Sequence, residues 1–275
     1  MSALDRAIAA AAERLRATSP TPRLDAEVLM AAALGIGRDR LLLDPPSGPP
    51  PARFAEMFER RLAGEPVAYL TGRRDFWNIE LEVGPGVLIP RPDSETLIAA
   101  AVEHFAGTPG PKRILDLGTG PGTLLLAALD QWPTATGLGI DFSPNALAYA
   151  DRNARRLGLA DRAELRVGDW AEGIEESFDL VLANPPYVAR DAVLGAGVTE
   201  FEPAEALFAG DDGLDAYRKL APQLSRLILR GGLAAIEIGF DQADSAAAVL
   251  AKSGLSSRLA HDLGGRSRAL LVTSA

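Results

Sequence analysis

The sequence predicts an α/β protein, with a small all-helical segment followed by an open, mainly parallel sheet covered by helices on both faces. Three observations carry that prediction. From residue 113 onward, apolar strand patterns alternate with helical ones, as parallel strands joined by crossover helices require. Before residue 73 the periodic segments are helical. Between the two, Ile79-Glu80-Leu81-Glu82-Val83 alternates apolar with acidic, the pattern of a strand with one wet face.

Residues 3–17 are alanine-rich, with Asp5, Arg6, Glu13 and Arg14 interspersed, and read as the first helix. Residues 25–34 read as a second. The cluster Pro45-Pro46-Ser47-Gly48-Pro49-Pro50-Pro51 then breaks the pattern, and a third helix covers 52–63 with Phe54, Met57, Phe58 and Leu62 at helical spacing. Residues 1–73 are therefore expected to form a bundle of three or four helices, either without chemistry of its own or presenting a surface to a partner. Residues 74–92 read as a linker containing a β-hairpin, with strands at 79–83 and 87–89 around the turn Gly84-Pro85-Gly86. Asp93-Ser94-Glu95 offers caps for the helix that follows. Over 93–275, strands are expected at 113–117, 137–140, 164–167, 180–183 and 233–238, and helices at 122–131, 144–157, 213–229 and 241–252. A closing antiparallel hairpin is expected from 257–263 and 269–273.

Of the 275 residues, 47% are hydrophobic and 24% charged, ample for a core and ordinary for a soluble protein. The net charge of −9 argues against a dedicated nucleic-acid binder, whose footprint is basic. There is no cysteine, hence no disulfide, thiolate nucleophile or Cys-ligated metal. The two histidines, His104 and His261, lie far apart in sequence, against a His-rich metal site or a Ser-His-Asp triad, and no metal is expected. No charge-free apolar run approaches membrane-spanning length, and charges interrupt the apolar part of the N-terminus, so a cytoplasmic location is expected.

Chemistry concentrates at strand ends, where open α/β sheets bind their ligands. Asn184-Pro185-Pro186-Tyr187 follows the apolar run 178–183. Proline restricts the residue before it and donates no ladder bond, so the strand must stop here with an amide side chain and rigid carbonyls at its end. Two such acceptors suit a substrate bearing an NH2 group. The segment from Ile114 to Gly122 is strand, glycine-rich turn, then helix. Thr123 stands where a dinucleotide fingerprint wants its third small residue, and Pro121 has no N–H for an anion. Gly118, Gly120 and Gly122 suit the open turn of S-adenosylmethionine-binding proteins better; a purely structural turn is the other reading. Asp141, nineteen positions beyond Gly122, can accept from both ribose hydroxyls, cap the helix beginning near Ser143-Pro144, or do both. Asp169 and Trp170, closing the third strand, can hold an adenine by its amino group and flat face, or Trp170 is core. Trp77 and Trp132 read as packing residues.

Taken together, the glycine loop, Asp141 and the tetrapeptide resemble the class I S-adenosylmethionine-dependent methyltransferases. The tetrapeptide is shared by DNA adenine and protein glutamine methyltransferases. The flanks resemble the HemK/PrmC family of release-factor glutamine methyltransferases. They comprise Arg60-Arg61, Glu65-Pro66, Tyr69, Gly72 and Phe76; the run from Leu88 to Glu95; and Glu202-Pro203 with Ala206-Leu207, Gly210, Asp212-Gly213-Leu214-Asp215 and Tyr217-Arg218. Ile236-Glu237-Ile238-Gly239 followed by Gln242 completes the set. Pro-Arg-Pro-Asp, in place of the Pro-Arg-Ser-Pro of the ribosomal-protein enzymes, favours the release-factor branch.

The resemblance implies a seven-stranded Rossmann-like class I methyltransferase domain at 93–275, joined by the hairpin linker to a small N-terminal helical domain that recognises substrate. It implies S-adenosyl-L-methionine as methyl donor and S-adenosyl-L-homocysteine as product. The implied cofactor-binding residues are Asp116, Gly118, Thr119, Gly120, Pro121, Gly122, Asp141, Asp169, Trp170 and Asn184. Asn184, Pro185 and Tyr187 are implied as catalytic, and Asn184, Pro185, Pro186 and Tyr187 as substrate-binding. The implied substrate is the glutamine of the Gly-Gly-Gln motif in bacterial class I peptide chain release factors, with neither membrane nor nucleic acid as partner. Pro121 and Thr123-Leu124-Leu125 depart from the smaller residues usual after this loop, Ala183 from the usual Ser, and Trp77-Asn78 stands where glycine often occurs. Arg91 and Glu95 either face the substrate or pin the hairpin; Glu202 either covers the site or flanks a helix. Asp116 orients the loop, contacts the donor's amino group, or caps loop amides. Competing readings are a DNA adenine methyltransferase, a ribosomal-protein glutamine methyltransferase and an inactive S-adenosylmethionine-binding docking module.

Overall fold

The computed structural model describes residues 2–195 and 197–274. It divides into two compact units, Met1–Arg73 with Leu194–Phe201, and Arg74–Val193 with Glu202–Ala275.

In the first unit, α1 (Ala3–Leu15) opens with a reciprocal capping box between Ser2 and Asp5. It buries Leu4, Ile8, Ala11 and Leu15 along one stripe. These pack with Leu29 and Met30 of α2 (Pro22–Leu34) and, beyond the short α3 (Arg38–Leu43), with Phe54, Met57 and Phe58 of α4 (Ala52–Leu62). A fifth helix, α5 (Val67–Thr71), completes the run, so five helices form among residues 2–73 where three or four were expected. The second helix starts at Pro22, a residue suited to a first helical turn, rather than at Asp25. Asp25 is instead buried, its carboxylate accepting from Ser19, Thr21 and Arg61.

The second unit begins with a hairpin of β1 (Arg73–Phe76) and β2 (Ile79–Glu82). The expected hairpin had a different partner. Residues 87–89 form no strand, because the Ile89 N–H donates to the Glu202 carboxylate at 3.0 Å rather than to a ladder. The true turn is Trp77-Asn78. Trp77 adopts the left-handed conformation (φ 54°) that two-residue hairpin turns use. Glu95 holds its N–H at 2.9 Å and Gln131 its indole N–H at 3.1 Å. The capping expectation for Asp93-Ser94-Glu95 also fails. Ser94 makes no cap to α6 (Glu95–His104), Asp93 pairs with Arg268 at 3.0 Å, and Glu95 serves the hairpin.

Then follow β3 (Arg113–Leu117), α7 (Thr123–Gln131), β4 (Thr136–Asp141), α8 (Pro144–Arg156), β5 (Ala163–Val167) and β6 (Phe178–Ala183). A short α9 (Val198–Phe201) belongs to the first unit. The chain continues through α10 (Asp215–Leu227), β7 (Ile228–Glu237), α11 (Ala243–Lys252), β8 (Ser257–His261) and β9 (Ser267–Thr273). The seven strands are ordered β5-β4-β3-β6-β7-β9-β8. All neighbours are parallel except β9, which runs antiparallel to β7 and β8. The central strands read as continuous apolar runs because helices cover both faces: Ile114, Leu115, Leu180, Val181 and Leu182 are fully buried. Among the described residues no helix is long and apolar enough to cross a membrane.

Candidate active site

The chain winds outward from β3 through β4 to β5, then returns to lay β6 on the other side of β3. Leu117, the last residue of β3, is in register with Ile140 on one side and Ala183 on the other. This reversal opens a crevice at the carboxyl ends of the strands. The glycine loop leaves β3 at that crevice and the Asn-Pro-Pro-Tyr segment leaves β6.

Gly118, Gly120 and Gly122 all have positive φ (73°, 56° and 87°), a region that penalises any side chain. The N–H groups of Gly118 and Thr119 both donate to the Ile140 carbonyl at 2.9 Å, which ties the loop to β4. Gly122 N–H donates to the Thr119 carbonyl at 2.9 Å, closing a turn with Gly120 and Pro121 inside it. The missing N–H of Pro121 is thus never called on, and its carbonyl accepts from Asn153 Nδ2 at 3.0 Å. Asn153, fully buried on α8, also accepts from Glu82 N–H at 2.7 Å and donates to the Glu82 carbonyl at 3.0 Å. One amide therefore joins β2, α8 and the glycine loop.

Asp116 is 1% exposed. Its Oδ2 accepts from Thr119 Oγ1 at 2.6 Å and from Leu125 N–H at 3.0 Å, so it orders the loop and the first turn of α7. Its Oδ1 is buried without a partner. Burial pushes this carboxyl up to about 7 against the pull of those two bonds. Asp141 accepts from Ser143 N–H at 2.9 Å and Gly120 N–H at 2.8 Å, and burial raises its pKa too. Asp141 thus shapes the turn before α8, and two amide bonds leave a carboxylate with lone pairs to spare. The Trp170 ring lies 3.6 Å from where a Cβ on Gly118 would sit. Asp169 carries an exposed carboxylate 3.7 Å from Lys219.

These residues enclose a cavity of about 630 Å³. Asp116, Gly118, Thr119, Gly120, Pro121, Asp141, Asp169, Trp170, Asn184 and Pro186 all line it; Gly122, Pro185 and Tyr187 do not. Gly122 caps α7 from within the loop, and Pro185 is buried. The Tyr187 ring packs against the core, and its hydroxyl donates to Glu237 Oε1 at 3.3 Å. Burial and the Glu237 charge hold that phenol well above its ordinary pKa, so it is a fixed donor and not a base. The Tyr187 carbonyl accepts from Gln242 Nε2 at 3.0 Å. Asn184 Nδ2 donates to Ser94 Oγ at 3.0 Å.

Arg91 lines the cavity and pairs with Glu202 at 2.5 Å. Glu202, 5% exposed, pins the 87–91 segment through Ile89 and Arg91, whereas Glu95 pins the hairpin. Sequence reasoning assigned no role to Ser94, Asn153, Glu237 or Gln242 in this site. Three of them lay in segments of the family resemblance, which was the one available signal. Phe142, 56% exposed beside Asp141, also lines the cavity and was passed over.

This strand order, with a glycine turn after the central strand and an acid at the end of the next, defines a class I methyltransferase domain. Residues 110–226 match the model of a methyltransferase domain, and residues 6–72 that of the PrmC N-terminal domain. The chain is 41% identical to the release factor glutamine methyltransferase of Caulobacter vibrioides, over 98% of this chain and 95% of that protein. It is 44% identical to the enzyme of the same name from Rhodospirillum rubrum, over 91% and 78%. A methyltransferase from Pyrococcus furiosus shares the fold with a TM-score of 0.51 at 19% identity, over 70% of this chain and 87% of that one. The chain belongs to the release factor glutamine methyltransferase family.

Proposed function

We propose that this chain transfers a methyl group from S-adenosyl-L-methionine to the side-chain amide nitrogen of the glutamine in the Gly-Gly-Gln motif of class I release factors, in the cytoplasm. The observation that carries this reading is that Asn184 opens into the same cavity as the glycine loop, Asp141 and Trp170. A donor site and an amide-accepting side chain share one enclosure of ligand size.

The residues present fit the donor. The orphaned Oδ1 of Asp116 matches an ammonium group, the strand-end carboxylate of Asp141 matches a pair of ribose hydroxyls, and Asp169 with Trp170 matches an adenine. Gly118, Thr119, Gly120 and Pro121 would line its path, and Gly122 would hold the loop's conformation. When bound, S-adenosylmethionine supplies a methyl group on a sulfonium, a strongly activated electrophile.

The chain's own task is to prepare a poor nucleophile, since a carboxamide nitrogen delocalises its lone pair into the carbonyl. Asn184 Oδ1, which opens into the cavity, accepts a hydrogen of the substrate NH2, orienting the lone pair along the line of transfer and favouring pyramidalisation, whereas the Pro185 carbonyl, expected as the second acceptor, belongs to a buried residue that does not line the cavity. Pro186 forms the cavity wall beside Asn184. Tyr187 acts from behind, as a rigid ring anchored on Glu237. The proton leaves after transfer, so no strong base is required.

The test offers labelled S-adenosylmethionine to a release factor, to the same factor with its motif glutamine changed to alanine, to a ribosomal protein and to duplex DNA. Label on the intact release factor alone is expected. Label on DNA establishes the adenine reading, and label nowhere leaves only a docking module. Asn184→Ala is expected to lower turnover about 100-fold or more while donor binding persists. Near-normal turnover in that variant defeats the assignment.

A further inference from the structure

We propose that Arg91 is a donor-binding residue that holds the methionine carboxylate of S-adenosylmethionine. The inference rests on the function proposed above for the identity of the donor. The methionine end of that molecule carries an ammonium and a carboxylate. Asp116 answers the ammonium, and the carboxylate needs an answer of its own. Taken out of water, it requires a cation or several N–H donors.

The glycine loop has no N–H to give it. Those of Gly118 and Thr119 are spent on the Ile140 carbonyl, that of Gly120 on Asp141 and that of Gly122 on the Thr119 carbonyl. Pro121 has none. The cavity wall carries the acids Asp116, Asp141, Asp169, Glu205 and Asp215, but only two cations, Arg91 and Lys219. Lys219 Nζ lies 3.7 Å from Asp169, at the end that suits the adenine. Arg91 is tied to the other end. Its carbonyl accepts from Ser94 N–H at 3.1 Å, and Ser94 Oγ accepts from Asn184 Nδ2 at 3.0 Å. Glu202 Oε1 accepts from Arg91 Nη2 at 2.5 Å, and its Oε2 from Ile89 N–H at 3.0 Å. Both oxygens of this buried acid are thereby engaged, and they fix the guanidinium while its other N–H groups make no further bond among the described residues. A fixed fork of N–H donors matches a carboxylate in shape as well as in charge. The substrate amide's carbonyl oxygen is the poorer partner for it. A hydrogen bond there would draw the nitrogen lone pair further into the carbonyl and slow the transfer.

The test uses the full-length protein and calorimetry with two probes, S-adenosylmethionine and its decarboxylated form, which keeps the sulfonium, ammonium, ribose and adenine. Wild type is expected to bind the decarboxylated form about tenfold or more weakly. Arg91→Gln keeps a donor for Glu202 and loses the charge, and should bring the two affinities within about threefold of each other. Arg91→Lys keeps the charge and loses the fork, and should fall between. The ratio is internal to each variant: a wall merely loosened by the substitution weakens both probes alike and leaves the ratio where it was. A wild-type ratio in Arg91→Gln therefore overturns the proposal and hands the carboxylate to the start of α7. Equal binding of both probes by wild type overturns it as well. A third contrary result is unchanged affinity for both probes with a raised KM for the release factor, which turns Arg91 toward the substrate. If wild type binds the donor but methylates no release factor, the functional reading fails, while the ratio still decides the role of Arg91.

Discussion

Asp116 serves two opposed ends. It orders the glycine loop through Thr119 and Leu125, yet leaves one oxygen buried and bare. With a folded pKa of about 7 against 3.8 for the free side chain, the folded state holds this proton more tightly than the unfolded state does. Stability from this group is therefore greatest below about pH 4, falls as the pH rises toward 7, and levels off above. Asp116→Asn keeps an oxygen for Thr119 and Leu125 and replaces the bare charge with a neutral NH2. The variant should gain roughly 1–3 kcal/mol of stability at pH 8 in denaturant titrations, and little at pH 4. It should also bind the donor more weakly by calorimetry, having lost the ammonium's counter-charge. Equal stability at both pH values, or unchanged affinity, refutes the account. Of the residues lining the cavity, Asp116, Gly118, Gly120, Pro121, Asp141, Asp169 and Pro186 were legible in sequence because glycines, acids and prolines at strand ends are local signals. Ser94, Asn153 and Glu237 were not, because their meaning lies in partners fifty to ninety positions away. Read locally, Asp93-Ser94-Glu95 looks like a cap; buried tertiary partners outcompete that use.

At the scale of elements, the β7–α11 junction and the turn before α10 hold the tetrapeptide. Gly213 has φ 71°, and a Cβ there would run into the Tyr187 carbonyl oxygen. Gln242 Nε2 donates to the carbonyls of both Tyr187 and Gly213, fastening the two segments together. Gly213→Ala must displace the backbone at Tyr187, so it should cost roughly 1–3 kcal/mol of stability and lower kcat about tenfold or more. A variant with wild-type kcat shows that the tetrapeptide tolerates the shift. The sheet strands were legible because burial on both faces makes them continuous apolar runs; β3 spans the expected 113–117 and the others agree within two residues at either end, except that β7 begins at Ile228, five residues before the expected 233 and within the expected helix 213–229. The hairpin was misread because Trp77, a bulky residue in a left-handed turn, carries no turn signal, whereas Gly84-Pro85-Gly86 carries a strong one and turns without a following strand. Short α3 and α5 escaped because five or six residues cannot establish a period.

At the scale of the whole molecule, the cavity belongs to one of the two units. The residues lining the cavity all come from the second unit. The first unit has its own core of Leu4, Ile8, Leu15, Leu29, Met30, Phe54 and Phe58, and it also claims residues 194–201 of the segment that leaves the tetrapeptide. That excursion ends at Glu202, which grips Ile89 and Arg91 at the cavity. The helical unit's proposed role is to recognise the release factor, and hydrogen exchange separates that role from donor binding. Saturating donor at about 100 times its Kd stabilises the state that binds it by roughly 2.7 kcal/mol. Exchange should slow at the amides of the glycine loop, the start of α7 and the turn after Asp141, while α1 to α5 keep their rates. A release factor whose motif glutamine is changed to alanine, added to the donor complex, should then slow exchange in α1 to α5 and in 197–201. Unchanged rates there, with methylation of the natural factor intact, would assign recognition to the methyltransferase unit and leave the helices a structural role.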